Sequence, residues 1–179
     1  TFRHVPGAAA TDADWRFFHR CYRTTYREHH SSPYLNLEFF RQIARTMPEN
    51  LLLVIASRDG NDIASALLVI DMRPEASVMY GRYWGAVEHH PCLHFETAYY
   101  QPLTYCIAHG IRTFEGGAQG EHKMARGFEP VATLSAHWLA HPAFADAVGR
   151  FLDRETAGME AYLDELTDRS PFRQRQESD

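Results

Sequence analysis

"LLLVIASRDGNDIASALLVI", from Leu51 to Ile70, decides the fold. Its first six residues are an unbroken apolar run, partly β-branched, which suits a strand buried on both faces. "RDGN" at Arg58 to Asn61 then marks a hairpin turn. A second strand is predicted from Ile63 to Ile70. A third, from Val78 to Trp84, follows a turn at Arg73 to Ser77. Together these three strands form an antiparallel meander.

Working towards the N-terminus, the period changes from strand to helix. Asn36 starts a helix with Leu37, Phe40, Ile43, Ala44 and Met47 on one face, and Pro48 closes it. Before it, "HHSSPY" interrupts a longer helix whose stripe is Trp15, Phe18, Tyr22 and Tyr26. Thr11 is the predicted N-cap, with Asp12 and Asp14 in the first turn, where the helix dipole favours negative charge. "FRHV" at Phe2 to Val5 is a short strand ended by Pro6 and Gly7.

Working towards the C-terminus, a helix is predicted from about His94 to His109. It has Phe95, Tyr99, Cys106 and Ile107 on the buried side, a kink at Pro102 and Gly110 as its stop. "IRTFEGG" is the next core strand, and "PVATLSAHWL" from Pro130 another. A final helix runs from Pro142 to about Leu166, with Phe144, Val148, Phe151, Leu152, Met159, Tyr162 and Leu163 as its apolar face. Residues 1–170 are thus expected to form one α/β domain, a mainly antiparallel mixed sheet flanked by helices. Residues 171–179 form a polar tail.

Composition narrows the function classes. The 179 residues carry 18 basic and 23 acidic side chains, a formal net charge of −5, unlike the basic footprint of a nucleic-acid-binding domain. No apolar run approaches the roughly 20 residues that cross a bilayer. The start, "TFRHVPGAAATDADW", does not read as a secretory signal. The three cysteines, Cys21, Cys92 and Cys106, are odd in number and irregularly spaced, so they are read as reduced thiols of a cytoplasmic protein. Histidines 89, 90 and 94 with Cys92 match no standard zinc spacing, and no metal is expected.

The strand and helix order resembles the acyltransferase fold of the GNAT superfamily, the acyl-CoA N-acyltransferase fold. "GRYWGAVEHHPCLHFETAYYQPLTYCIAHG" followed by "EGGAQGEHKMARGFEPVATLSAHWL" resembles the Fem-like GNAT family of peptidoglycan biosynthesis/recognition proteins. So do "PYLNLEFF", "MPENLLLVIASRDG" and the terminal "SPFR". The family is bacterial, and its proteins are usually much longer than this chain. They use two GNAT-like halves, of which this chain resembles the C-terminal one. The resemblance implies a missing N-terminal half, or a homodimer in its place.

It also implies an N-acyl or N-aminoacyl transferase acting on a small-molecule or peptide amine, with an aminoacyl-tRNA or an acyl thioester as donor. Coenzyme A users carry a glycine-rich turn that offers backbone N–H groups to the pyrophosphate. Here the equivalent "GAVEHHPCLHFE" has Gly85 alone. Pro91 lacks an N–H and Glu88 repels phosphate, so the standard acetyl-CoA loop is not present. The alternative is a non-catalytic module or half-domain that recognises an amine-bearing or peptidoglycan-like ligand.

"EGGAQGEHKMARGFEP", Glu115 to Pro130, is the candidate cleft floor. Its glycines let the backbone approach a ligand closely. Glu115 and His122 are candidate bases for an attacking ammonium. Lys123 and Arg126 are candidate partners for an oxyanion or phosphate, and Gln119 is placed to orient a carbonyl. A short helix there is expected to align His122 with Arg126 at i, i+4. His94 and Glu96 are expected to face this cluster from the next helix start. Tyr83 and Trp84, on opposite faces of a strand, supply one core ring and one ring to stack on substrate. His137 reads as a half-buried strand histidine.

Overall fold

The computed structural model describes residues 1–117 and 121–168, the side chains of 121, 122, 157, 160, 161, 164, 167 and 168 aside. The chain divides into two compact units, Thr1–Ala118 and Gln119–Asp179. The polar tail 171–179 and the "SPFR" motif lie outside the described residues.

The first unit is a five-stranded sheet in sequential order. It is built from β1 (Phe2–Pro6), β2 (Leu51–Arg58), β3 (Asn61–Asp71), β4 (Val78–Ala86) and β5 (Thr113–Glu115). The first four strands pair antiparallel, and β5 joins β4 in parallel. The β2–β3 turn places both Asp59 and Gly60 at positive φ, 50° and 80°, the mirror-image geometry that matches strand twist.

Alternation along the strands supplies two cores. On one face Leu51, Leu53, Ile55 and Leu67 pack under α1 (Asp12–Glu28) and α2 (Leu37–Thr46), through Trp15, Phe18, Cys21, Tyr22 and Phe40. On the other, Leu52, Val54, Ala66, Leu68, Ile70 and Met79 pack under Cys106 and Ile111. Each fully buried leucine or isoleucine contributes about 1.5–3 kcal/mol.

Thr11 caps α1 as expected. Its hydroxyl accepts from the Asp14 N–H, and the Asp14 carboxylate accepts from the Thr11 N–H at 2.9 Å. Asp14 also pairs with Arg3 of β1 at 2.8 Å, tying the helix start to the sheet edge. Burial alone would raise this carboxyl. The Thr11 hydrogen bonds and Arg3 outweigh it, and the net pKa falls below the usual carboxylate range.

The helix after β4 has three parts: α3 (Leu93–Phe95), a π-helical turn (Glu96–Tyr100) and α4 (Gln101–His109). The interruption lies immediately before Pro102, whose missing N–H the wider turn accommodates. Gly110 ends α4 at φ 67°. Cys106 is buried as expected, but Ile107, next to it on the helix, is 75% exposed.

The second unit holds a 3-10 turn (Glu121–Arg126) and α5 (Pro142–Asp168). Here two expectations are corrected. Residues 130–139 form no strand, and His137, taken as half-buried, is exposed with Nε2 3.1 Å from the Ser135 hydroxyl. The apolar side chains Phe144, Phe151, Leu152, Met159 and Tyr162 of α5 are exposed. Among the described residues this unit has one long helix and one short turn, so it offers no second layer of its own to cover them.

Candidate functional site

The sheet opens between β4 and β5. The pairs Val78–Thr113, Met79–Phe114 and Tyr80–Glu115 close the first part, and the ladder stops there while β4 runs on to Ala86. A pocket of about 110 Å³ occupies the opening. β4 lines it with Gly81, Arg82, Tyr83 and Trp84, and the helical side with His94, Ala98 and Tyr99. Gly116, just past β5, completes the rim. The π turn that carries Ala98 and Tyr99 is a distortion found disproportionately at functional sites.

A β-bulge sits in the same place. Leu67 pairs with Tyr83 and Leu68 with Gly81, which leaves Arg82 as an extra residue in β4. Bulges bend a strand and re-aim its groups. The sequence gives no local sign of this one, because a bulge belongs to the register between two strands.

Tyr83 and Trp84 point to opposite faces, as alternation requires. Trp84 stacks on His94 at 4.3 Å between centroids, and Tyr99 lies 5.4 Å from the same imidazole. Tyr83 faces α1 and α2, 5.1 Å from the Tyr22 ring. Its hydroxyl is 2.6 Å from that of Tyr34 in the α1–α2 connection, and the Arg82 guanidinium lies over its ring at 4.5 Å. Burial, then the contact with Tyr34, pushes the Tyr83 phenol up to about 12. The hydrogen bond with Tyr83 holds Tyr34 below the usual phenol range, with Tyr26 and Arg82 adding to it. Either phenol can donate in that contact. Arg82, Tyr26 and Tyr34 were not singled out from the sequence as site residues. The available signals were an arginine between two aromatic strand positions and a tyrosine closing "HHSSPY".

The other candidates fall in several elements of the two units. Glu115 ends β5 and is exposed. Glu96, expected beside His94 in the cleft, does not line the pocket. It accepts from the Gln101 amide at 2.8 Å, and at two residues from His94 it lies on a different side of the helix. Gln119 lies outside the described residues, as does the His122 side chain. In the second unit Lys123 and Arg126 are half-buried, and burial lowers the Lys123 pKa. The segment is a 3-10 turn with about three residues per turn.

A Cβ added at Gly85 would stand 2.2 Å from the Cys21 carbonyl oxygen, so this glycine serves the close approach of α1. Thr25 supports that contact by donating to the Trp84 carbonyl at 3.0 Å. Glu88 pairs with His90, His89 with Glu28, and Cys92 adopts φ 65°. Among the described residues no group of three or more His, Cys, Asp or Glu is arranged to hold a metal ion. Burial pushes the Cys21 thiol up to about 12 and Cys106 to about 11, which keeps both protonated and unreactive at neutral pH. Among the described residues no helix is long and apolar enough to cross a membrane.

The architecture is shared with known acetyltransferases. A predicted acetyltransferase from Clostridium acetobutylicum, solved with acetyl-CoA, superposes with a TM-score of 0.57 at 13% identity, covering 79% of this chain and 98% of its own. An aminoglycoside acetyltransferase from an uncultured soil metagenomic sample, in complex with sisomicin, gives 0.54 at 9% identity, covering 79% and 94%. A tetramutant Bacillus halodurans protein gives 0.54 at 15%, covering 78% and 99%. At these identities the likeness establishes the GNAT fold alone. No curated protein matches the chain. The match that reaches further is to a sequence family: over residues 1–174 the chain belongs to the FemAB-like family, described as peptidoglycan biosynthesis/recognition.

Proposed function

We propose that this chain transfers an acyl or aminoacyl group to an amine in the opening between β4 and β5. The observation that carries the reading is the coincidence there of three distortions: the end of the β4–β5 ladder, the Arg82 bulge and the π turn. Membership of the FemAB-like family and the acetyltransferase fold support it. In the reaction the amine nitrogen attacks the acyl carbonyl carbon. The new C–N bond forms as the C–O or C–S bond to the carrier breaks. The ammonium proton goes to a base, and the departing oxygen or sulfur regains a proton. Glu115, exposed at the end of β5, is the proposed base. Main-chain groups at the bulge are the proposed partners of the developing oxyanion.

The donor is proposed to be an aminoacyl-tRNA or an acyl thioester held without a coenzyme A pyrophosphate cradle. Gly85 is committed to α1, and Glu88 and Pro91 occupy the positions of phosphate-binding amides. Calorimetry with acetyl-CoA is expected to give a dissociation constant no tighter than about 1 mM, or about 4 kcal/mol. A micromolar constant overturns the donor assignment. Radiolabelled bulk aminoacyl-tRNA, incubated with the chain and a panel of amines, tests transfer itself. Label on any amine, dependent on the protein, supports the reading. The same cradle argument favours one alternative, a GNAT-fold module that binds an amine-bearing or peptidoglycan-like ligand without turnover. Saturable amine binding with no labelled product from any donor selects it.

A further inference from the structure

We infer that Arg82, together with the Tyr34–Tyr83 phenol pair, binds a carboxylate of the acceptor, so that the amine substrate is an amino acid or a peptide with a free carboxylate. The word acceptor rests on the transferase reading above; the carboxylate site rests on the geometry that follows.

Arg82 is the residue that the bulge pushes out of register with β3. It lines the same opening as Tyr83, Trp84 and His94. Its guanidinium lies over the Tyr83 ring at 4.5 Å. A guanidinium stacked by its face keeps its N–H donors in the plane of the ring system's edge, where one reaches the Tyr34 hydroxyl and others remain for a planar partner. Among the described residues no carboxylate comes within ion-pair distance of it. Arg3, Arg41, Arg45 and Arg73 find acids, and Arg20, also over a ring, has none among the described residues; what sets Arg82 apart is its place on the lining of the opening. A cation oriented by a ring and left without an acid is an anion receptor in waiting.

The phenols complete the receptor. Tyr34 is 65% exposed, and its hydroxyl is 2.6 Å from that of Tyr83. Two phenols that share one hydrogen bond leave one of their two protons to donate to a third group. Tyr22 and Tyr26 fix the pair from behind, through ring contacts of 5.1 Å to Tyr83 and 5.9 Å to Tyr34. One planar guanidinium with one outward hydroxyl matches a carboxylate, which takes two parallel N–H bonds and one more from a neighbour. It is a poor match for phosphate. Among the described residues no lysine and no second arginine lines the opening, and Glu88 in the β4–α3 connection adds negative charge nearby in sequence.

The test uses three ligands that share an amine and differ in the carboxylate: L-lysine, L-lysinamide and cadaverine. Each is titrated into the full chain labelled with ¹⁵N-arginine, and the Arg82 Nε–H resonance is followed, with inorganic phosphate as a fourth arm. L-Lysine is expected to give a saturable shift. Lysinamide and cadaverine are expected to bind at least about tenfold more weakly, a difference of about 1.4 kcal/mol. Read by calorimetry, since both variants lose the reporter resonance, Arg82→Met abolishes the preference and Arg82→Lys reduces it, because an ammonium cannot make the paired contact. Arg82 is exposed, so both variants keep the parent melting temperature. Three failures overturn the inference: equal binding of the three amines, no saturation by L-lysine up to about 50 mM, or phosphate binding more tightly than L-lysine. Carboxylate-selective binding without acyl transfer removes the transferase reading and leaves this site. Acyl transfer indifferent to the carboxylate does the reverse.

Discussion

Residues 51–56 and 131–138 are both apolar runs that read as strands, and they end in opposite environments. Leu52, Leu53, Val54 and Ile55 are 0% exposed, whereas Leu134 is 99% and Trp138 86% exposed. Intrinsic propensity does not separate them. Partners do. β2 has β1 and β3 on its edges and a helical layer over each face. Among the described residues the second run makes no backbone ladder. A strand is a relation between segments, and an apolar run is only an offer of one.

The largest effect comes from attacking the layered run directly. Leu53→Ala empties a site closed by α1, α2 and the sheet. A loss of about 3–4 kcal/mol is expected, the transfer free energy plus the cavity left behind. Urea denaturation measures it. A loss below about 1 kcal/mol would mean that the two runs differ less than their burial implies.

Next is the glycine that lets a helix layer close on the sheet. Gly85→Ala places a methyl 2.2 Å from the Cys21 carbonyl oxygen, and the atom met is main chain of α1, which cannot swing aside. Overpacking of this kind is expected to destabilise by about 2–3 kcal/mol. A neutral result in the same denaturation experiment would show that α1 rides loosely on β4, and would reopen Gly85 to a ligand-binding role.

Both cases show what was legible in the chain. The Thr11 cap, the Trp15–Phe18–Tyr22 stripe, the Asp59–Gly60 turn and the meander follow from local chemistry and period, and all are present. Long-range relations are not written in any window. β5 is three residues long and is defined by its pairing with β4. The Tyr34–Tyr83 contact joins residues 49 apart, and the bulge at Arg82 exists only in the β3–β4 register. Tyr83, Trp84 and His94 were accessible because they sit beside recognisable strand and helix boundaries. Arg82 was hidden because a strand arginine reads as solvated surface, and Glu96 lies two residues from His94, a spacing that puts side chains on different sides of a helix.

A smaller effect tests how α1 is fastened over the buried run. Asp14→Asn removes the carboxylate that accepts from Thr11 and pairs with Arg3. About 1–2 kcal/mol should be lost at neutral pH. The sign of the pH dependence follows from the lowered pKa of Asp14. The contribution is fully present above the unfolded value of about 3.9 and is lost as pH falls through the folded value. The gap between parent and variant, followed by melting temperature, therefore closes below about pH 4. A gap that persists unchanged into acid would assign the effect to packing instead of charge.

The smallest expected effect falls on the exposed run, and it is the sharpest test of the contrast. Leu134→Ser changes a side chain that touches almost nothing, so stability should stay within about 0.5 kcal/mol of the parent. Hydrogen exchange on the unmodified chain compares both runs in one sample. Amides of residues 52–56 open only with the unit that contains them and exchange at its global rate. Amides of residues 131–138 have no intramolecular acceptor among the described residues, so they should exchange near the open-chain rate. Protection at 131–138, or a loss above about 1 kcal/mol for Leu134→Ser, would mean that this run is paired in solution as the apolar pattern offers. In that case the two runs would differ only in which partner they had been given.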